Sequence, residues 1–182
     1  VIFSSEMTGD TQILVSCGKN PEGQKIRIVN PGTFSRCLPG EIGEIWVSSP
    51  SVTSGYWNNP LATASVFGAY LSDCEEGPFL RTGDLGFFDE GELYITGRLK
   101  NLIIIDGKNF YPHDIEKTVE QAHPSILPGG CAVFSIQNSE NEGVVVVAEI
   151  QHRFFINTSE VLKAIRASVT EHHDLSIFDL KL

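Results

Sequence analysis

The sequence predicts an α+β protein with a β-rich first domain and a second domain that combines strands and helices. Up to Gly97, short apolar segments alternate with clusters of Gly, Pro, Asn and Asp, which is typical of antiparallel strands joined by turns. Beyond Gly97, apolar residues recur at helical spacing in two segments, and strand-like apolar runs lie before and between them. We therefore expect domains over residues 1–97 and 98–182.

The first domain is expected to form a small antiparallel β-barrel or sheet. Its candidate strands are the short apolar segments between turn residues, at positions 12–16, 25–30, 43–48, 79–81, 85–89 and 93–96. Two tight turns are predicted at residues 82–84 and 89–91, because each combines Gly with an acidic residue.

One short helix and several large aromatic residues complete the predicted first domain. Asn59 is a favourable capping residue, and Pro60 suits the first position of a helix that extends to residue 67. Large aromatic side chains pack in cores more often than they stack on ligands. We therefore expect core positions for Trp46, Tyr56 and Trp57.

The second domain is expected to follow the order strand, helix, strand, strand, helix. The predicted strands are residues 101–106, 130–136 and 144–150, and the polar segment 137–143 joins the last two. The first helix begins at Pro112 and ends before Pro124, with Ile115 and Val119 on its apolar face. Asn157 caps the second helix. Its apolar face consists of Val161, Leu162, Ile165 and Val169.

Composition and charge argue against several classes of protein. The 13 basic and 23 acidic residues give a net charge of −10, so nucleic acid is not an expected partner. The longest apolar stretches are far shorter than the roughly 20 residues that cross a bilayer, so no membrane span is expected. The four cysteines and five histidines lack metal-ligand spacing, which indicates reduced thiols, no metal site and a cytoplasmic location.

The segment at residues 81–86, Arg-Thr-Gly-Asp-Leu-Gly, is the first candidate for chemistry. It places Asp84 between two glycines, where a flexible backbone allows a ligand to approach closely. A carboxylate at this position can accept hydrogen bonds from both hydroxyls of a ribose. On these residues alone, the alternative is that Asp84 closes its own turn by binding the backbone.

Basic residues cluster near the predicted domain boundary. Arg98, Lys100 and Lys108 lie within eleven residues that contain one acid, Asp106, and this pattern fits an anion site or a solvated hairpin equally well. Arg98 is suited either to contact a sugar or phosphate or to form a salt bridge. Lys100 lies where the composition changes, which favours a hinge position over a ligand contact.

Taken in order, four segments resemble consecutive motifs of the adenylate-forming superfamily, which includes acyl-CoA synthetases, peptide-synthetase adenylation domains and luciferases. They are Gly-Glu-Ile-Trp-Val at 43–47, Gly-Tyr-Trp-Asn-Asn-Pro at 55–60, Arg-Thr-Gly-Asp-Leu-Gly at 81–86 and Gly-Arg-Leu-Lys at 97–100. Segments 14–18 and 105–116 resemble most the fatty acyl-AMP ligases. The resemblance implies the last subdomain of a large amino-terminal domain, followed by most of a compact α+β lid domain.

The resemblance also implies an activity, cofactors and partners. A fatty acid reacts with ATP in the presence of Mg²⁺ to give acyl-AMP, and the acyl group passes to the phosphopantetheine thiol of an acyl carrier protein or of a carrier domain in a polyketide or peptide synthase. Asp84 and Arg98 match residues that contact the ribose, and Ile95 matches an apolar residue beside the nucleotide. Lys100 matches the hinge on which the lid turns between the two half-reactions.

We expect no catalytic residue within residues 1–182. The Gly-rich phosphate loop of the superfamily would precede Val1, and its Gly-Lys motif would follow Leu182. Without them little stabilises charge at the α-phosphate, so the chain alone is predicted to be inactive. Two alternatives stay open: a fatty acyl-CoA ligase or peptide-synthetase adenylation domain, and a non-catalytic binding module of the same fold. The joint presence of Asp84, Arg98 and Lys100 argues against the second.

Overall fold

The structure, a computed structural model, describes residues 13–137, 142–151 and 157–182. The chain divides into two compact units, one that includes residues 13–100 and one that includes residues 101–182. The division predicted after Gly97 lies three residues earlier and stays a prediction for the domains of the whole protein. No helix in the described ranges is long and apolar enough to cross a membrane.

The first unit is built on an open five-stranded antiparallel sheet, which confirms the predicted sheet without closing it into a barrel. The spatial order is β1-β5-β4-β3-β2, so β1 and β2 form its edges. The strands are β1 (Ser16–Lys19), β2 (Lys25–Val29), β3 (Gly43–Ser48), β4 (Leu80–Asp89) and β5 (Glu92–Arg98). The helix α1 (Pro60–Phe67) begins as predicted, with the Asn59 side chain accepting a hydrogen bond from the backbone N–H of Ala62 at 3.1 Å.

The turn predicted at residues 82–84 is wrong, because these residues belong to the continuous strand β4. Trp46 on β3 pairs with Arg81, and Glu44 pairs with Leu85, so three residues of β4 lie opposite Ile45 alone. The excess residues form a bulge, which kinks a strand without ending it. Pairing with β3 on one side and β5 on the other keeps β4 extended through the kink.

The remaining predictions for the first sheet differ in detail. The predicted turn at 89–91 is confirmed as a two-residue hairpin loop, since Glu90 and Gly91 have φ values of 46° and 80°. The first strand was predicted at residues 12–16, of which residue 12 lies outside the described residues. It is observed at Ser16–Lys19 instead, because pairing with β5 begins at Ser16.

The core of the first unit contains one of the three aromatic residues predicted there. Trp46 is 1% exposed and packs with Val29, Leu71 and Phe79. Tyr56 and Trp57, in the loop before α1, are 52% and 98% exposed, so the prediction for them is wrong. Trp46 lies on a strand, where the alternation of side chains between the two faces of the sheet predicts which residues are buried. Tyr56 and Trp57 lie in a loop, which has no such alternation, so the sequence does not indicate whether their side chains are buried.

The second unit packs two helices on a three-stranded sheet. Its elements are β6 (Ile103–Ile105), β7 (Lys108–Phe110), α2 (Pro112–Ala122), β8 (Ile126–Gln137), β9 (Glu142–Ile150), α3 (Thr158–His173) and β10 (Ile177–Lys181). Strand β9 is central, antiparallel to β8 and parallel to β10. The helices contribute fully buried side chains to the core, Ile115 and Val119 from α2 and Val161, Ile165 and Val169 from α3.

The second unit departs from its predicted order at both ends. The strand predicted at 101–106 is shorter and forms a hairpin with β7, because Asp106 and Gly107 adopt φ values of 51° and 75° that suit a two-residue turn. Strand β10 was not predicted, although residues 178–181 alternate apolar and polar side chains. The strand is formed by parallel pairing with β9, a long-range contact that a local pattern does not give. The predicted turn at 137–143 lies partly outside the described residues.

Candidate functional site

The pairing of β4 with β5 brings Asp84 and Arg98 together. They are direct cross-strand partners, and Arg98 Nε donates a hydrogen bond to Asp84 Oδ1 at 2.8 Å. Their side chains are 30% and 56% exposed, so the pair is accessible from solvent. Because exposed ion pairs contribute little to stability, the pair is available for rearrangement around a ligand.

A β-bulge brings Ile95 to the same side of the sheet. Leu85 pairs with Gly97, but its neighbour Gly86 pairs with Ile95, so Thr96 is an extra residue on β5. Directly opposed residues share a sheet face, and the bulge therefore aligns Ile95 with Arg98 instead of turning it away. Ile95 is 45% exposed.

Glycine at position 86 permits this close pairing. A Cβ atom added to Gly86 would clash with the backbone carbonyl oxygen of Tyr94 and lie 2.9 Å from Ile45 Cδ1. Any side chain at this position would push β4 away from its neighbours, which would separate the residues that the bulge aligns.

The segment before Asp84 is anchored to a buried carboxylate on β3. Glu44 is 2% exposed and receives hydrogen bonds from Arg81 Nη2 at 2.8 Å, from Trp46 Nε1 at 2.9 Å and from the backbone N–H of Gly83 at 3.2 Å. A buried carboxylate is tolerated when it is paired and hydrogen-bonded in this way. The network ties β3 to the bulged residues of β4.

Thr82 forms the second attachment of the same segment. Its hydroxyl donates to the carbonyl oxygen of Ile45 at 2.7 Å and accepts from the backbone N–H of Asp84 at 3.0 Å. The Asp84 side chain contacts Arg98. Of the two interpretations open from the sequence, a carboxylate that closes its own turn is therefore not what the structure contains.

A cavity of about 340 Å³ opens beside the Asp84–Arg98 pair, lined by Thr82, Gly83, Arg98, Leu99 and Lys100. Its volume lies within the roughly 300 to 1,000 Å³ that small-molecule sites occupy. Lys100 lines this cavity and lies in a single 3-10 turn, Leu99–Asn101. The third basic residue of the predicted cluster, Lys108, belongs to the second unit, where its Nζ pairs with Asp174 Oδ2 at 3.5 Å.

Three of the residues predicted from the sequence therefore lie together, and two that matter to their placement were not predicted. Asp84, Arg98 and Ile95 share one face of β4 and β5, and their contacts with a ligand stay predictions. The two residues that were not predicted are Glu44 and Thr82, whose hydrogen bonds connect β3 with the bulged segment of β4. The sequence contained one indication of the role of Glu44, which is an acidic residue within the otherwise largely apolar strand predicted at 43–48. In the described ranges, no group of three or more His, Cys, Asp or Glu is arranged to hold a metal ion.

Comparison with known proteins identifies a family model and several ligases to which this chain is similar. A family model described as Disco-interacting protein 2-like, AMP domain, matches residues 100–180. The medium-chain-fatty-acid–[acyl-carrier-protein] ligase JamA of Moorena producens is 44% identical over 184 residues, which cover 100% of this chain and 31% of that protein. The long-chain-fatty-acid–AMP ligase FadD26 of Mycobacterium tuberculosis is 40% identical over 179 residues, covering 93% of this chain and 30% of that protein.

A solved structure agrees with the sequence comparisons. The structure of McyG A-PCP complexed with phenylalanyl-adenylate superimposes with a TM-score of 0.75 at 30% identity, covering 92% of this chain and 29% of the other. The chain thus spans about a third of the length of its relatives, and both of its units are included in the match. Sequence and fold together confirm the resemblance found in the motifs, and the chain belongs to the adenylate-forming superfamily as a segment related to the fatty acyl-AMP ligases.

Proposed function

We propose that this chain is part of an ATP-dependent ligase that activates a fatty acid as acyl-AMP and passes the acyl group to a carrier-protein thiol. The observation that carries the proposal is the placement of Asp84, Arg98 and Ile95 on one sheet face beside an open cavity. A carboxylate, a guanidinium and an exposed apolar side chain form a suitable surface for the sugar and one face of a nucleotide.

Each of these three residues has a distinct role in the proposal. Asp84 accepts hydrogen bonds from the two ribose hydroxyls, for which a carboxylate provides two oxygens. Arg98 donates to Asp84 through Nε and has further N–H donors for the sugar. Ile95 provides apolar contact beside the nucleotide and excludes water from it. Lys100 is proposed as the hinge between the two units.

The proposed reaction has two steps. A carboxylate oxygen of the fatty acid attacks the α-phosphorus of ATP, the bond to pyrophosphate breaks, and acyl-AMP forms. The phosphopantetheine thiol then loses its proton and attacks the acyl carbonyl carbon, and AMP leaves. We assign no residue of this chain to the α-phosphate or to Mg²⁺, so we expect nucleotide contacts from it and catalysis only from the whole ligase.

The proposal is tested by pyrophosphate exchange with a series of fatty acids on the whole protein, followed by transfer assays. Exchange with fatty acids and transfer to an acyl carrier protein would support it. The names of JamA and McyG A-PCP, which mention carrier proteins, favour this acceptor. Transfer to coenzyme A would indicate a fatty acyl-CoA ligase, and exchange with amino acids would indicate an adenylation domain. The absence of exchange with any acid would leave a binding module of the same fold.

The role of Asp84 is tested by Asp84→Asn in the whole protein. We expect the KM for ATP to rise about 10- to 100-fold, because a hydrogen bond to a charged group contributes about 1.5 to 3 kcal/mol. Asp89→Asn is the matched control, since it removes a carboxylate at the far end of the same strand. An unchanged KM in Asp84→Asn, or an equal increase in the control, would contradict the assignment.

A further inference from the structure

The carboxylate of Glu44 lies at the centre of a hydrogen-bond network that ends at Gly83, the residue directly before Asp84. We propose that Glu44, together with Arg81, is a positioning residue that fixes the Asp84 carboxylate for nucleotide binding. This inference rests on the proposed role of Asp84 and extends it to a residue that does not touch the ligand.

The bulged segment of β4 depends on contacts other than regular strand pairing. Residues 82–84 lie opposite Ile45 alone, so the regular ladder of β3 and β4 is interrupted there. Gly83, at the middle of the bulge, has φ of +72°, a left-handed conformation that glycine adopts without strain. Its N–H points to Glu44 Oε1 at 3.2 Å. Glu44 thus supplies a backbone contact that the interrupted ladder does not.

Glu44 is itself held rigidly. Arg81 contacts its carboxylate through two nitrogens, with Nε at 3.0 Å and Nη2 at 2.8 Å from Oε2. The Arg81 guanidinium also lies over the rings of Phe34 and Trp46, at 5.0 Å and 5.7 Å from the ring centroids. A fork of charged hydrogen bonds against aromatic faces defines one geometry for both side chains. The anchor for Gly83 therefore has little freedom to move.

The contacts of Glu44 and Thr82 restrict the position of the Asp84 backbone, and so of its carboxylate. Asp84 follows Gly83 directly, and its own N–H is held by Thr82, whose hydroxyl donates to Ile45. Two adjacent residues of β3 therefore fix the segment, one through its side chain and one through its carbonyl oxygen. A misplacement of about 1 Å in a binding group is enough to reduce rates roughly 100-fold. Loss of the anchor should affect recognition of the ribose before it affects the fold.

The decisive variant is Glu44→Gln in the whole ligase, because it keeps the size of the side chain and places an amide donor against existing donors. We measure kcat/KM for pyrophosphate exchange with ATP and with 2′-deoxy-ATP, and take their ratio. The ratio should fall roughly 10-fold or more in Glu44→Gln, toward the value for Asp84→Asn. Ile165→Ala is the control for a loss of stability alone: Ile165 is fully buried in the core of the second unit, so this variant should lower Tm while the ratio stays unchanged.

A second variant keeps the test decisive if Glu44→Gln does not fold. Arg81→Lys preserves the positive charge opposite the carboxylate but removes the fork, and we expect it to give an intermediate ratio. If the ratio falls in Asp84→Asn but not in Glu44→Gln or Arg81→Lys, the positioning role is wrong and the role of Asp84 stands. If the ratio is also unchanged in Asp84→Asn, the proposed ribose contact is wrong and this inference fails with it.

Discussion

Three carboxylates of the first unit differ in burial and in their hydrogen-bond partners. Glu44 is buried and fully paired, Asp84 is partly exposed with one oxygen held by Arg98, and Asp73 lies on the surface. The pKa of Asp73 is lowered because Arg36 donates a hydrogen bond to it at 2.8 Å. A carboxyl group with a lowered pKa contributes stability above its unfolded pKa and loses it as pH falls through the folded pKa. This pairing therefore supports the acid-rich loop at neutral pH and weakens in acid.

The cysteines provide a prediction at the residue scale. Burial raises the pKa of the Cys131 thiol to about 11, with nearby Glu120 and Glu116 adding to the effect. Since only the thiolate is nucleophilic, Cys131 should resist iodoacetamide at pH 8 and react as the pH approaches 11. The exposed Cys17 and Cys74 are the internal controls and should react first. Mass spectrometry of the alkylated chain measures this order, and modification of Cys131 at the same rate as Cys17 would contradict it.

At the scale of elements, packing between helices and sheet stabilises the second unit. The helix α2 contacts β8 through hydrogen bonds as well as apolar side chains, because Glu116 accepts from the backbone N–H of Val133 at 3.1 Å and Glu120 from that of Gly129 at 2.8 Å. The apolar face of α3 packs on the same core. Both helices therefore gain most of their stability from packing on the sheet, as amphipathic helices generally do.

The core contribution of α3 gives the element-scale prediction. Ile165 is fully buried, so Ile165→Ala should lower the free energy of unfolding of the second unit by about 2 to 5 kcal/mol through the cavity it leaves. Lys163→Ala, on the exposed side of the same helix, should change it by less than about 0.5 kcal/mol. Urea denaturation followed by circular dichroism measures both, and similar midpoints for the two variants would contradict this account of the core.

At the scale of the whole molecule, the chain divides into two compact units between Lys100 and Asn101. Lys100 ends the first unit within the turn Leu99–Asn101 and also lines the cavity beside Arg98. A hinge requires a few residues at the end of an element that can absorb backbone rotation. The position of Lys100 satisfies this requirement and keeps it near the proposed nucleotide site.

The hinge prediction is tested by Lys100→Pro in the whole ligase. Proline restricts φ to about −65°, so the variant should favour one arrangement of the units and impair one of the two half-reactions more than the other. Pyrophosphate exchange and acyl transfer, measured separately, report the two steps. Lys100→Ala serves as the control, because it removes the charge without restricting the backbone. Equal effects of Lys100→Pro on both steps would exclude the hinge assignment.

Local and periodic signals were sufficient for much of the fold. Residue preferences at helix starts, turn chemistry and the helical period act within a few residues, and they predicted the helices that begin at Pro60, Pro112 and Thr158 and the hairpin at Glu90. Asn157 precedes α3 as predicted, but its side chain makes no capping hydrogen bond. The bulge at 82–84 and strand β10 did not follow, because pairing with neighbouring strands decides both.

The sequence by itself determined the α+β class and the superfamily motifs, and it predicted Asp84, Arg98, Ile95 and Lys100 as site residues, since each depends on residues close together in the chain. Only the tertiary structure decided that three of these share one sheet face, because the bulge at Thr96 sets their register. The tertiary structure also revealed the contact between Glu44 and the segment that precedes Asp84. Glu44 lies 40 residues before Asp84 in the sequence, and only the pairing of β3 with β4 brings its buried carboxylate to the backbone N–H of Gly83.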